Sequence, residues 1–541
     1  MTRCTLFKLN KKLVLWSLLF AVLTLHLVTT KLFGCQIAFF GYKKEIGTFT
    51  TTDFKYYKKY MNFTSIEFGK SLVYLPKSTV EIINNTSATF TTGDIITLKI
   101  ILHNEKGDVL TGGGEFINIW MSEKGKGAGS AGYVVDHGNG TYMGVIKALW
   151  SGSPNITIKL AFPKESIGLF VNHIHRNGML RPIFGFFKNA RGETGKGICG
   201  IHTLTNHDLC DFTSFNYGMR WFCSLPYTPG FTCTDWFRIE GDTEADDRNN
   251  ITSKLSETQK LLLSSTSNKI IKDIKVDVYG DKTICPPKFL CREVNPSVTW
   301  NSSSPMGYFY NRTWHNLLCL NKVEHSNKCI SCLKNREIYM VGDSTQRQWF
   351  VELTEILNLS YSVKPTIRNL RGYHRTINAF STNKRDNITV KWAPHEFPFF
   401  TYSPNMTIEV FKPARFHLKV IRSKNPIVVL HWYIHMGFVP VSVYEDHVRN
   451  AKDAIIELLD RVPSAKIFIK GPHKIKNDEV VPYDLVRYLH DKLLFQIFDD
   501  IKHKVVYLNQ WDITVASEND EMHPTKDIVF QMVHELFSYI C

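Results

Sequence analysis

The chain has 541 residues, 43% hydrophobic and 13% aromatic, with a formal net charge of +15. That length exceeds one ordinary domain and allows two or three full cores; the composition excludes a disordered or fibrous chain. Lys and Arg are spread along it without a dense basic block or a nucleic-acid motif, so the charge reads either as a solvated basic surface or as attraction to acidic partners such as anionic glycans.

The first residues, 1–12, are basic, and Leu13–Thr30 then runs without a charge. Arg3, Lys8, Lys11 and Lys12 outweigh the downstream flank, which puts the N-terminus in the cytosol and the body in the lumen. Residues 13–30 are therefore expected to be a type II signal-anchor in the Golgi or endoplasmic reticulum, with a cleaved signal and a secreted body as the alternative. Residues 31–65 lack periodicity and read as a stem.

Residues 66–175 carry short strands with turn signals. "DIITLKIIL" alternates, "NEKGD" turns, "GEFINIWM" alternates, and "PNITIKLAF" closes the series, a pattern that predicts an immunoglobulin-like β-sandwich. Residues 176–300 hold Cys199, Cys210, Cys223, Cys233, Cys285 and Cys291 among frequent Gly and Pro, and read as a disulfide-pinned module with few strands of its own. Glu240–Lys269 is the expected linker or surface loop. Cys329 and Cys332 form a CxxC, for which a structural disulfide is preferred over a redox pair or half a zinc site, since no second CxxC or Cys/His quartet lies nearby; no metal site is expected. Cys35 makes the luminal count odd, leaving one thiol free or bridging two chains. Sequons at Asn62, Asn84, Asn85, Asn139, Asn155, Asn250, Asn301, Asn311, Asn358, Asn387 and Asn405 permit N-glycosylation in a lumen.

From residue 301 to 541 the rhythm changes to apolar strands alternating with amphipathic helices. Strands are expected at 336–342, 426–432, 465–471 and 503–510, and helices at 345–358, 443–462, 483–501 and 525–540. That alternation predicts a buried parallel sheet with crossover helices, a three-layer α/β domain. In such sheets ligands sit beyond the carboxyl ends of the strands. Ser344, in "MVGDSTQRQW", falls there, either as an N-cap or as a nucleophile whose oxyanion the helix's first N–H groups stabilise. A nucleophile needs a base and an orienting acid. Two Asp-x-x-His sets exist. His503 opens a strand, at the wrong edge, whereas Asp520 and His523 follow the last strand, on the edge of Ser344.

"VGDSTQRQW" with a C-terminal "DEMH" resembles the PC-esterase branch of the SGNH (GDSL-type) hydrolase and acyltransferase superfamily. The preceding sandwich, whose "DHGNGTY" and "SGSPNITIKL" are similar to a filamin-type repeat, and the cysteine-rich segment resemble neurexophilin. The combination resembles the NXPE family (neurexophilin and PC-esterase domain proteins), and "GDSTQRQ" is also similar to the Golgi sialate O-acetyltransferase and the plant polysaccharide O-acetyltransferases. The resemblance implies Ser344 as nucleophile, His523 as base and Asp520 as its partner. It further implies oxyanion or substrate contacts from Arg347, Gly372, His374 and His435, with His431 as another substitute for the usual Asn block, which "VVLHWYIHMGF" lacks. Arg347 could equally be a surface cation. The expected activity is O-acetylation of sialic acid on glycoproteins through an acyl-serine, with acetyl-CoA or another acetyl donor as co-substrate and no permanently bound cofactor. Esterase action on glycans or small esters is one alternative, and a secreted ligand with a silent esterase domain, binding a cell-surface receptor through its neurexophilin-like half, is another. The expected partners are a glycan or glycoprotein substrate and, through the odd cysteine or non-covalently, a further copy of the chain; no nucleic acid is expected.

Overall fold

The computed structural model describes residues 72–541 except 86, 178–179, 181, 202–207, 242–250, 252, 254, 281–286, 301–304, 322–325, 364–378, 395–411 and 477–480. The expected anchor (13–30) and stem, Cys35, Cys285, Gly372, His374, Asn62, Asn250, Asn301 and Asn405 lie outside the described residues, as does the Cys329 side chain. No helix among the described residues is long and apolar enough to cross a membrane. Asn84, Asn139, Asn155, Asn311, Asn358 and Asn387 are exposed.

Eight strands come first: β1 (Thr79–Ile82), β2 (Thr89–Thr91), β3 (Ile95–Ile101), β4 (Phe116–Glu123), β5 (Ala128–Ala131), β6 (Tyr133–Asp136), β7 (Thr141–Lys147) and β8 (Asn155–Phe162). In β3 every second residue is buried, so Ile96, Leu98 and Ile100 face inward while Ile95 and Lys99 face water. β1, β3, β7 and β6 form one antiparallel sheet, and β8, β4 and β5 the middle of a second. Ile119 of the second sheet reaches Gly144 of the first, which closes a sandwich core.

Helix α1 (Lys164–Asn177) leads into β9 (Ile183–Lys188), β10 (Thr194–Gly200), β11 (Leu209–Asp211), β12 (Phe222–Ser224) and β13 (Trp236–Gly241). The cysteine-rich segment was expected to hold few strands; these five instead make an antiparallel sheet of their own. β11 and β12 have 3 residues each and β10, "TGKGICG", is interrupted by glycines, so the alternation signal is weak, and cross-links supply what the pattern lacks. Cys199 and Cys223 face each other across β10 and β12, and Cys210 joins Cys233.

The sandwich does not end where the sequence pattern suggested. After helix α2 (Glu257–Thr266), β14 (Lys269–Lys275) pairs with β8 and β15 (Asp277–Tyr279) with β2. β16 (Gly307–Tyr310) then pairs with β5 and carries β17 (Thr313–Asn316). The second sheet is thus six-stranded, β14-β8-β4-β5-β16-β17, and takes strands from both sides of the expected boundary at residue 301. Sequence separation hides such long-range pairing, because each strand alone shows only its local pattern.

The rest is α/β: α3 (Ser326–Leu333), β18 (Glu337–Val341), α4 (Ser344–Ile356), β19 (Ser360–Val363), β20 (Ala379–Asn383), β21 (Ile388–Ala393), α5 (Ala414–Lys419), β22 (Ile427–Leu430), α6 (Val441–Arg461), β23 (Lys466–Lys470), α7 (Tyr483–Ile497), β24 (Val505–Leu508), α8 (Gln510–Ala516) and α9 (Lys526–Ile540). The seven-stranded sheet runs β19-β20-β21-β18-β22-β23-β24. β21, β18, β22, β23 and β24 are parallel, and β20 and β19 extend the sheet antiparallel. Alternate residues of β22 and β23 enter opposite cores. Ile427, Val429 and Phe468 meet α4 and α9 through Trp349, Phe350, Leu353, Val533 and Phe537. Val428, Leu430, Ile467 and Ile469 meet α5 and α6, in one core with Phe187, Trp221 and Trp236 of the cysteine-rich sheet. Cys291 is bonded to Cys319, and Cys332 of the CxxC to Cys541, which ties the end of α9 to α3.

Candidate active site

The chain leaves β18 for one side of the sheet, reaching β21, and then crosses to β22 on the other side. β18 therefore ends at a switch point, where a crevice opens at the carboxyl edge. Gly342, Asp343 and Ser344 make the turn there. The N-cap of α4 is Asp343, not Ser344: its Oδ1 accepts from the Thr345 N–H at 2.8 Å and the Thr345 hydroxyl at 2.7 Å. Asp343 outcompetes the serine because it carries the longer acceptor one residue earlier. That frees the Ser344 hydroxyl, at the first helical position, for another partner.

The partner is His523. The Ser344 Oγ lies 2.7 Å from the His523 Nε2, within proton-transfer range. As expected, His523 follows the last strand, between α8 and α9. The rival pair lies apart at the amino edge, His503 in the short helical turn before β24 and Asp500 bound to Lys452. First-turn N–H groups of a helix lack intrahelical acceptors, so α4 offers donors and a partial positive charge beside Ser344.

Asp520 is engaged elsewhere than its sequence assignment implied. Its Oδ1 accepts from the Lys474 ammonium at 2.5 Å, and its Oδ2 lies 3.5 Å from that of Lys159. Burial works to raise its carboxyl, and the two cations more than offset that, holding it below the ordinary range. Its backbone carbonyl accepts from the Lys476 N–H. Around it the segment 471–476 grips the His523 loop at several points. Lys474 Nζ donates to the Asn519 carbonyl at 2.8 Å, and Asn519 Nδ2 donates to the carbonyls of Lys474 and Glu521. His473 Nε2–H donates to the carbonyl of Met522, the residue before His523, at 3.0 Å. Burial, then the charges of Lys470 and His431, push the His473 imidazole down to about 3, so it does this work uncharged. From the other side Gln348 Nε2 donates to the Pro524 carbonyl at 3.0 Å.

Beneath the serine turn lies a buried polar layer in which sequence reasoning singled out His431 but missed Lys470. Lys470, at the end of β23, donates to the Thr345 hydroxyl at 3.0 Å, and its ammonium lies 4.8 Å over the Trp349 ring. Burial pushes that ammonium down to about 7, against the pull of Asp343. His431 donates from Nδ1 to the Lys470 carbonyl at 2.9 Å and turns Nε2 toward the Asp343 Oδ2, 3.7 Å away. The signal available was a lysine and a histidine each ending an otherwise apolar strand. His435 opens a short helical turn after β22 and is half-buried. Arg347 is no surface cation: it is 8% exposed, and its guanidinium lies 5.7 Å over Trp392.

A parallel-sheet α/β domain with a serine–histidine pair at its carboxyl edge, joined to a β-sandwich and a disulfide-linked β-sheet, is the class that fold and site define. Residues 314–541 match the NXPE family member 4-like, C-terminal domain, and residues 60–238 match neurexophilin. The chain belongs to the NXPE family. The four disulfides among the described residues and the neurexophilin domain mark an extracellular or secretory-pathway protein. Among solved structures it is similar to an active-site mutant of a family two carbohydrate esterase from Clostridium thermocellum in complex with "celluohexase", at 10% identity, with 86% of this chain and 93% of that one covered and a TM-score of 0.22. It is also similar to invasin, a bacterial integrin-binding protein, at 11% identity, 60% coverage of both chains and a TM-score of 0.14. At such scores neither likeness bears on chemistry.

Proposed function

We propose that the protein is a secretory-pathway glycan O-acyltransferase, and that its reaction is acetylation of sialic acid on glycoproteins. The observation that carries the proposal is the 2.7 Å contact between the Ser344 Oγ and the His523 Nε2 at the carboxyl edge of the sheet. Ser344 attacks the acyl carbonyl while its proton passes to His523. The tetrahedral oxyanion forms beside the first-turn N–H groups of α4 and collapses, expelling the donor's leaving group, which takes the proton from His523. A sugar hydroxyl then attacks the acyl-serine, gives its proton to His523, and leaves as the ester; the proton returns to Ser344. Asp520 holds the imidazole's loop in place, with its charge three residues from His523. We assign substrate contacts to Arg347, one helical turn beyond Ser344, and to His435, in the helical turn that follows β22.

The luminal setting, the net charge of +15 and the "GDSTQRQ" resemblance support an anionic glycan acceptor. Transfer requires that water be kept from the acyl-serine while the sugar is bound; hydrolysis is the outcome when it is not. The rival reading, a ligand with a silent esterase domain, draws on the engagement of Asp520 by two lysines. Cells expressing the wild type are expected to show more O-acetylated sialic acid by mass spectrometry than cells expressing Ser344→Ala. Equal levels would overturn the proposal.

A further inference from the structure

The loop that carries His523 is braced from a distance in sequence. Trp120 Nε1–H donates to the Glu518 Oε1 at 2.9 Å, and the Ser122 hydroxyl donates to the same oxygen at 2.8 Å. Lys124 lies 3.8 Å from the other carboxylate oxygen of Glu518, and Lys159 reaches Asp520 at 3.5 Å. All four residues belong to the sandwich or its adjoining turn: Trp120 and Ser122 to β4, Lys159 to β8 and Lys124 to the turn after β4. The backbones also touch. A Cβ on Gly129 of β5 would come within 2.1 Å of the Ala516 carbonyl, at the end of α8 where the loop begins.

Three features make this more than a chance contact. Lys159 is only 8% exposed, and a buried lysine persists where a partner offsets its desolvation. Burial lowers its ammonium and Asp520 opposes that. Glu518 sits at φ 55°, a conformation that an L residue holds when its surroundings fix it. Lys474, the other cation on Asp520, lies 5.5 Å over the Trp120 ring, so the clamp from the α/β side rests on a sandwich residue too.

We infer that the β-sandwich is a working part of the active site: Lys159, with Trp120 and Ser122, is a positioning group that sets the His523 loop against Ser344. This rests on the proposed role of the Ser344–His523 pair. It makes the neurexophilin-like half a determinant of reactivity.

The test uses the full chain and a serine-directed fluorophosphonate, reading both the maximal inactivation rate and the probe's apparent affinity. Lys159→Met is expected to lower the maximal rate by at least about tenfold with affinity unchanged, since a displacement of about 1 Å at a reacting group costs rates of that order or more. Lys159→Arg, which can still reach Asp520, is expected to recover most of the loss, which a generic packing defect would not do. Trp120→Phe keeps an aromatic ring and deletes the Glu518 hydrogen bond with the indole N–H; it is expected to move the rate the same way, and it carries the test if Lys159→Met does not fold. A folded Lys159→Met or Trp120→Phe that labels at the wild-type rate overturns the inference. Absence of labelling in the wild type overturns the serine–histidine reading itself, and this inference with it.

Discussion

Gly342, Asp343 and Ser344 each answer to a different constraint. A Cβ on Gly342 would meet the Gln346 Cβ at 2.7 Å and the His431 Cβ at 3.0 Å, so space, and not backbone freedom, selects glycine. Asp343 is 1% exposed and caps α4, which leaves the Ser344 hydroxyl to pair with His523. Gly342→Ala is expected to destabilise the protein by about 1–3 kcal/mol in urea unfolding, the usual result of overpacking. It is also expected to slow serine labelling, because the helix start moves with it. The pairing of Ser344 with His523 was legible in sequence because strand-edge topology fixes which loops meet. The partners of Asp520 were not, for Lys159 stands 361 residues away and Lys474 46 away, and neither carries a local signature.

At the scale of elements, apolar periodicity located α4, α6, α7 and α9 and the parallel strands β18, β22, β23 and β24 to within a few residues. It overlooked β19, β20 and β21; "SYSV" of the edge strand and "AFSTN" of its neighbour bury too little to form a run. It also gave no hint of what α9 carries inward. Glu535 of α9 is buried, accepting from Gln510 Nε2 at 2.9 Å and from Asn316 Nδ2 of β17 at 3.3 Å. Burial, with Asp512 adding to it, pushes the carboxyl up to about 8. A folded-state value above the unfolded one stabilises below the unfolded pKa, and that stabilisation is lost as pH rises through the folded value. Wild-type stability should therefore fall relative to Glu535→Gln between about pH 4.5 and 8, by at most about 5 kcal/mol. Parallel denaturant titrations check this. Lys470, which titrates near 7, is common to both proteins and cancels in the difference. A difference that does not change with pH would mean Glu535 does not gain its proton on folding.

For the whole molecule, the passage from a β-sheet-rich N-terminal part to a C-terminal sheet with helices was legible from changes of rhythm, while the interdependence of the parts was not. Strands on both sides of residue 301 complete one sheet, the cysteine-rich sheet shares a core with α5 and α6, and the sandwich grips the loop of His523. Each of these joins residues far apart in sequence, where local pattern has no reach. The molecule so built presents one serine, one imidazole and a braced loop at a crevice, and its central claim is that these act as a unit. Peptide mapping of fluorophosphonate-labelled protein tests this most directly. The label should lie on Ser344, vanish in Ser344→Ala, and form at least about a hundredfold more slowly in His523→Ala, as removal of a general base demands. Labelling at another residue, or at an undiminished rate without His523, would contradict it.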